Sequence, residues 1–586
     1  MTMVLLDTER TFTTPEQATY RYRVAGPLVR AWAFAIDAGL VMLAILAAWL
    51  VVLAATAMLG GSGAGFGIGA GLVLTFIGLW LAGGLVEWRW EGRTPGKRVA
   101  GIRVIGVDGL PAGLGACMLR TLLRYADAMP TVAMALGVMV CSGDFRRLGD
   151  LAAGTLVVHD DHEPDSWKNP ADKEADTLAA SLPVEVANVL DAAALRAIGA
   201  YVGRRRTLHP LRRTELANHL AGPLAQRLNL PPRTDPDLVL RAVHRRLAGD
   251  RADPVSTRGA AYLAQRQADW RKLEALVDGR IVERGHKGEV APLIFARLYR
   301  AGSSDLALAE GFHVPERVTR RLHRLVANAH MRFHPRARLT LAEIRRLVLV
   351  EVPGRLYGDP CLRAAFIAFF GVFFGCAVLA LAHPTVAESV LGTGYLDGLR
   401  DMYAAAPDKR SAAEAASMHG FYILNNVGIS LACFASGIFL GVGSLVFLAF
   451  NGVVLGLVFG SMAAGDPTIR THFFSFVTAH GPFELTGIAL AGTAGLRLGL
   501  GLVESGGLPR VLGLQRSARR AAPILAVAAV TVAAAAPIEA WVSPSALPVA
   551  AKQAVAVISS LLLLTYLAGC GWHGHRTLSR EAAHAP

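Results

Sequence analysis

His480 and Glu484 stand four residues apart in "HGPFE", inside the otherwise apolar stretch "FFSFVTAHGPFELTGIALAGTAGLRLGLGL". Four is the spacing that stacks two side chains on one helix face. An imidazole and a carboxylate placed so can ligate a metal, relay a proton or act as base and acid. The carboxylate can also simply cap its helix. Gly481 and Pro482 mark a helix start, because proline in a first turn forfeits no hydrogen bond. Glu484 then falls near the positive end of the helix dipole, where free backbone N–H groups await an acceptor.

A hydrolase is the weakest of these readings. The chain has no HExxH and no GxSxG, and no second His/Glu pair completes a zinc site. A catalytic zinc takes three protein ligands. No Walker A motif or dinucleotide fingerprint is present, so ATP-driven work requires a partner. No catalytic residue, metal ligand set or cofactor is expected.

The elements that position these residues are membrane helices. The 586 residues are 53% hydrophobic and only 18% charged, against roughly a quarter charged in soluble proteins. Mean hydropathy is +0.40. The expected fold is an all-α polytopic membrane protein, with two transmembrane regions joined by a cytoplasmic helical domain. Net charge is +14, carried mostly by arginines outside the apolar runs. Such an excess marks cytoplasmic loops and attraction to anionic lipid headgroups rather than to nucleic acid. Six scattered cysteines without a CxxC pair indicate neither a zinc ribbon nor a disulfide framework. No signal peptide opens the chain, so the first span is expected to act as its own insertion signal.

Residues 1–160 read as a first membrane region, with spans at 33–58 and 69–86 and a basic loop whose "VAGIRVIGVDG" turns like a short hairpin. The next apolar piece, 117–141, is interrupted by Arg120, Arg124, Asp127 and Pro130. It is read as a re-entrant or interfacial hairpin returning to the cytoplasm, in preference to one true span. A polar linker (161–183) leads to a basic helical domain (184–360) rich in arginines such as Arg204, Arg205 and Arg206. That domain closes with an amphipathic helix ended near Pro353. Residues 361–575 hold about six segments, at 362–383, 420–449, 452–465, 482–503, 521–541 and 548–570, followed by a tail (576–586). Both termini are expected in the cytoplasm.

Alternating crossings bring Asn425, Asn426, His480, Glu484 and Glu539 to one membrane face, with His419 nearby. Asn451 and Gly452 fall in a tight turn at the opposite face. The five polar residues form a candidate ion site, excluded if Glu484 and Glu539 lie more than ~12 Å apart. Small residues at Gly437/Gly441 and at Gly452/Gly456/Gly460 let helices approach closely, either within the chain or in a homo-oligomer.

Arg30 and Asp37 in "RAWAFAID", the stretch "GRTPGKRVAGIRVI" and Asp150 in "RRLGDLAAGTLVV" resemble the RDD family of bacterial membrane proteins, named for one Arg and two Asp. A transport role has been suggested for that family. Seven residues along a helix separate Arg30 and Asp37 by ~10 Å, too far for a direct pair. Arg30 is expected to snorkel, and Asp37 to need Arg120, Arg124, Arg146 or Arg147 as partner, in a structural bridge or an ion pathway. From about residue 260, "AYLAQRQADWRKLEALV", "LYRAGSSDLALAE", "NNVGISLACFASGIFLGVGSLVFLAFNGVVLG", "HGPFELTGIALAGTAGLRLG" and "APIEAW" resemble the stage II sporulation protein M family. That resemblance implies a membrane anchor for cell-wall hydrolases, with MoxR-type ATPases and von Willebrand A-domain proteins as further partners. The first functional reading is therefore a non-catalytic scaffold of an envelope complex in the bacterial inner membrane. The alternative is an ion or small-solute transporter, and an intramembrane hydrolase is a minor third.

Overall fold

Among the described residues of the computed structural model, six helices are long and apolar enough to cross a membrane: Pro27–Met58, Ala64–Arg89, Pro360–Ala382, Val442–Ala464, Arg510–Val542 and Val549–Ala583. At ~1.5 Å per residue even the shortest exceeds a ~30 Å hydrocarbon core. Leu43, Leu46, Leu50 and Leu53 of the first helix are exposed, a surface suited to lipid. The chain is an all-α polytopic membrane protein; among the described residues its strands are four of five residues each. The structure describes residues 9–13, 19–59, 63–128, 133–160, 172–183, 210–228, 234–250, 265–278, 291–311, 316–333, 340–404 and 410–584, with single positions between 186 and 231.

Two more helices complete the second membrane bundle, 412–436 and Gly481–Leu500. The expected break at 449–452 does not occur. Val442–Ala464 is one helix, with Asn451 in its middle donating its Nδ2–H to Phe447 O at 2.8 Å. The reversal lies at 437–441 instead, where Leu440 (φ 54°) and Gly441 (φ 82°) adopt left-handed backbone. Both sides of that turn are apolar, so hydropathy carried no sign of it.

The glycine rows are used within the chain. A Cβ on Gly452, Gly456 or Gly460 would run into the backbone of Phe369, Phe373 or Ala377 in the 360–382 helix. Gly437 and Gly441 face Gly495, Leu496 and Gly499 in the same way. A further row, Gly65 and Gly69, packs on Ala413, Ala416 and Gly420 and so joins the two membrane regions.

In the first region β1 (Glu9–Thr13) pairs with β2 (Thr19–Arg23), and β3 (Ile102–Gly106) with β4 (Thr155–His159), both antiparallel. The turn at 106–110 does fold back, through Gly106 N–H to Leu110 O at 2.7 Å, but the partner strand of β3 is β4. Because β3 and β4 are neighbours, the segment between them returns to the side it left. Its helices Leu114–Leu122, Arg124–Ala128 and Ala133–Cys141 have nine, five and nine residues, too few to span. Pro130 lies outside the described residues.

The helical region begins earlier than composition suggests. Helix Lys173–Ser181, inside the expected linker, packs through Ala179 on Val239, Leu240 and Val243 of Pro236–Asp250. Arg205 pairs with Asp237 at 3.2 Å, while Arg204 and Arg206 lie outside the described residues. Helices Gln267–Val277, Ala291–Gly311 and Glu316–Phe333 share a core of Trp270, Tyr299, Leu322 and Val326 that continues into Tyr22, Ile105 and Val158 of the strands. The amphipathic helix ends near Pro353, at Leu356. It runs over 341–356, with a π-turn at Leu347–Glu351 just before the proline. Gly354 stacks on Gly574, and Arg346 bonds Glu581 at 2.7 Å, so the tail continues the last helix.

Candidate functional site

The cluster at one end of the second bundle is built by three helices. His480 occupies the N-cap position of Gly481–Leu500, which places Glu484 at the fourth helical residue. A capping box needs its carboxylate one residue earlier, and His480 makes no side-chain cap bond. The cap reading of Glu484 therefore fails on register. Its carboxylate faces the His480 ring instead, with Oε2 at 3.7 Å from Nε2.

Glu539 comes from the far end of the 510–542 helix, where Ile538–Val542 is a π-turn. Asn425 and Asn426 also sit on a π-turn, Ile423–Val427. A π-turn inserts one extra residue per turn and re-aims the side chains it carries. One ligand atom each from His480, Glu484 and Glu539 lies within 4.8 Å of the other two. The Asn426 amide donates to Glu539 Oε2 at 3.2 Å, and Asn425 donates to Asn426 Oδ1 at 2.8 Å. All five expected residues thus converge, and His480, Asn426 and Glu539 are buried. His419 borders the group, its ring tilted 45° against Trp541 with centroids 5.0 Å apart. Asn451 does not join it.

Three supporting residues escaped the sequence reading. Ser543 Oγ bonds His480 Nδ1 at 2.9 Å. Lys552, also buried, donates to the Ser543 carbonyl at 2.7 Å. Arg410 lies over Phe476 and within electrostatic reach of Glu539. A lone lysine in the apolar run "VAAKQAVAV" was a visible signal, while the register of Ser543 and Arg410 was not. Among the described residues no arginine or lysine forms an ion pair with Glu484 or Glu539. Two carboxylates this close repel unless a proton or a metal cation lies between them.

The RDD signature residues build a different arrangement. Asp150 receives the guanidinium groups of Arg30 and Arg120 and the Arg147 backbone N–H at 3.1 Å. Arg120 also reaches Thr155 Oγ1 at 2.8 Å and Glu87 at 2.9 Å, and Glu87 pairs with Lys97. Arg30 does not snorkel. It is buried between Asp150 and the Phe145 carbonyl. Among the described residues Asp37 forms no ion pair with an arginine, though Arg124 lies within electrostatic reach; it accepts from Thr94 Oγ1 and from Gly96 N–H at 2.7 Å, at the start of helix Pro95–Val99. That helix terminus offers free N–H groups and positive dipole, and meets the carboxylate's need for donors. Asp127 faces Arg147 at 3.4 Å, and Arg124 lies over the Phe34 ring. Burial would raise the Asp150 carboxyl, but Arg120, Arg30 and Arg147 outweigh it and hold the group well below the usual carboxylate range. Glu87, Thr94 and Lys97 were not singled out beforehand, though Glu87 closes an apolar run where a carboxylate is costly.

Residues 364–544, which contain the His480 cluster, match the family model described as Stage II sporulation protein M. Residues 24–154, which contain the Asp150 network, match the RDD family model. Residues 260–335, the three-helix unit docked on the strands, match a domain of unknown function, DUF8413. "AYLAQRQADWRKLEALV" and "LYRAGSSDLALAE" therefore belong to this middle unit, ahead of the sporulation protein M match. No curated protein and no solved structure matches the chain. The chain is a multi-pass membrane protein that joins an RDD family region to a Stage II sporulation protein M region in one polypeptide.

Proposed function

We propose that this protein is a transporter that passes protons or cations, with His480, Glu484 and Glu539 as its coupling site. The convergence of two carboxylates and an imidazole, with no arginine or lysine ion-paired to either carboxylate among the described residues, carries the reading. Buried carboxylates are expensive in a membrane bundle and are kept where a pathway uses them. A scaffold needs none, and the same chain ties its first region together with carboxylates paired to arginine or lysine. Purified protein in liposomes loaded with a pH-sensitive dye tests this. Cation-dependent proton flux should be lost in Glu484→Gln and Glu539→Gln, and flux that survives both substitutions rejects the reading. We place the protein in the bacterial inner membrane with both termini cytoplasmic. Two crossings in the first region and six in the second support this, as does the arginine-rich connection around Arg510, Arg516, Arg519 and Arg520.

A second reading, the envelope scaffold, is favoured by one contact set. Arg103 donates to Tyr22 Oη at 2.6 Å and to Asn328 Oδ1 at 2.5 Å, fastening the three-helix unit to the strand layer. This makes a firm platform at the membrane for a MoxR-type ATPase, a von Willebrand A-domain protein or a cell-wall hydrolase. Capture of such a partner without any ion flux supports this role over transport. Neither reading assigns the chain an enzymatic activity.

A further inference from the structure

We infer that the His480–Glu484–Glu539 cluster is a binding site for a divalent transition-metal ion of the zinc class. The inference rests on the reading of this cluster as a cation site and names the ion.

The donor set selects the metal. Sodium, magnesium and calcium are held by oxygen donors, whereas an imidazole beside carboxylates suits zinc and its neighbours. Two carboxylates and a neutral imidazole supply two negative charges against a doubly positive ion. Tetrahedral zinc at ~2.1 Å from each ligand sets the ligand atoms about 3.4 Å apart. The three donor atoms lie within 4.8 Å of one another, so small rotations of the two Glu side chains close the site. Three protein ligands leave one position open for water or a further ligand.

The imidazole is already held as a ligand would be. His480 Nδ1 is fixed on Ser543 Oγ at 2.9 Å. Nε2 then faces the carboxylates, 3.7 Å from Glu484, beyond hydrogen-bond length. Metal-ligating histidines almost always anchor their second nitrogen in this way. Ser543 is in turn braced by Lys552 through its carbonyl. Asn426 orients Glu539 by donating to one carboxylate oxygen, and Asn425 orients Asn426. A helix-register device would need neither an aimed imidazole nor two carboxylates facing each other. The sequence alone hid the third ligand, because Glu539 lies 55 residues beyond Glu484 and is turned inward by a π-turn.

The test is calorimetric titration of Zn²⁺, with Mg²⁺ as comparison, into the full-length protein in detergent. The expected result is one Zn²⁺ per chain and no comparable Mg²⁺ binding. Affinity should fall at least tenfold in His480→Gln, Glu484→Gln and Glu539→Gln, and about tenfold in Ser543→Ala, as for other residues that orient a ligand. His573→Gln/His575→Gln, near the end of the last helix, should bind as wild type. Should the cluster variants not fold, X-ray absorption of the zinc-loaded wild type reads the ligands directly: one imidazole with oxygen neighbours is expected. Sulfur neighbours, absence of Zn²⁺ binding, or binding unchanged by folded cluster variants would overturn the inference. Zinc binding without any flux sinks transport and leaves the metal site standing. Flux lost in the Glu variants without zinc binding sinks the metal and leaves a proton site.

Discussion

The two membrane regions bury charge in opposite ways. In the RDD region Asp150 is surrounded by Arg30, Arg120 and Arg147, while Glu87 sits between Arg120 and Lys97. In the sporulation protein M region Glu484 and Glu539 face each other and a histidine, with no ion pair to an arginine or lysine among the described residues. The first arrangement uses charge to hold helices. The second, on the transport reading proposed above, leaves charge available to an ion. Both signatures contain carboxylates beside apolar helices, so composition alone does not separate a clamp from a site; their partners do.

The sharpest way to break this contrast is to remove the centre of the clamp. Asp150→Ala leaves the buried Arg120 and the largely buried Arg30 and Arg147 without their shared carboxylate, and breaking a buried pair costs about 3–5 kcal/mol. Thermal unfolding in detergent should fall steeply, and an unchanged melt would mean the network is not structural. The pH sign follows from the depressed carboxyl. A group whose folded pKa lies below its unfolded value of ~3.9 contributes its full stability above that value. The contribution is lost as pH falls through the folded pKa. Wild type and Asp150→Ala should therefore differ fully at pH 7 and converge only in strong acid.

Next in size is Arg103→Ala, which removes charge-assisted bonds to Tyr22 and Asn328 and should cost about 1.5–3 kcal/mol at that seam. Faster proteolysis within 265–333, with flux unchanged, separates the platform from the site. Flux lost together with docking would tie the two regions into one machine. Gly456→Ala drives a methyl group into the Phe373 backbone. Overpacking of this kind costs about 1–3 kcal/mol, read as a lower melting temperature without a change of oligomeric state. A shift in oligomeric state would move this glycine row from the inside of the chain to an interface.

Much of the fold was legible because the bilayer imposes a length. Runs of about twenty apolar residues have few alternatives, and Arg30, Asp150 and "HGPFE" carried their regions' identity. The failures have physical causes. The 437–441 turn lies between two apolar helices and is made by backbone φ values, not by polarity. Asp37 was assigned an arginine because a carboxylate's need for a partner is readable, whereas a helix N-terminus 57 residues away is not. The cluster was grouped correctly by parity of crossings, a topological argument that tolerates shifted boundaries. The inward aim of Asn426 and Glu539 depends on two π-turns, which no simple periodicity announces.

The smallest expected change in stability is the most informative. Glu539→Gln keeps the shape of the side chain and its contact with Asn426 while removing one of two facing charges. If the carboxylates repel, the variant should unfold no earlier than wild type, because a repulsion between two facing carboxylates is relieved. Flux should nonetheless be abolished. A clamp residue behaves the other way, losing stability first and function only as a consequence. Measuring melting and flux on Glu539→Gln and Asp150→Ala side by side therefore sorts each carboxylate by what it does. If Glu539→Gln destabilised as much as Asp150→Ala, the cluster would be a second clamp, and the transport reading would lose the observation that carries it.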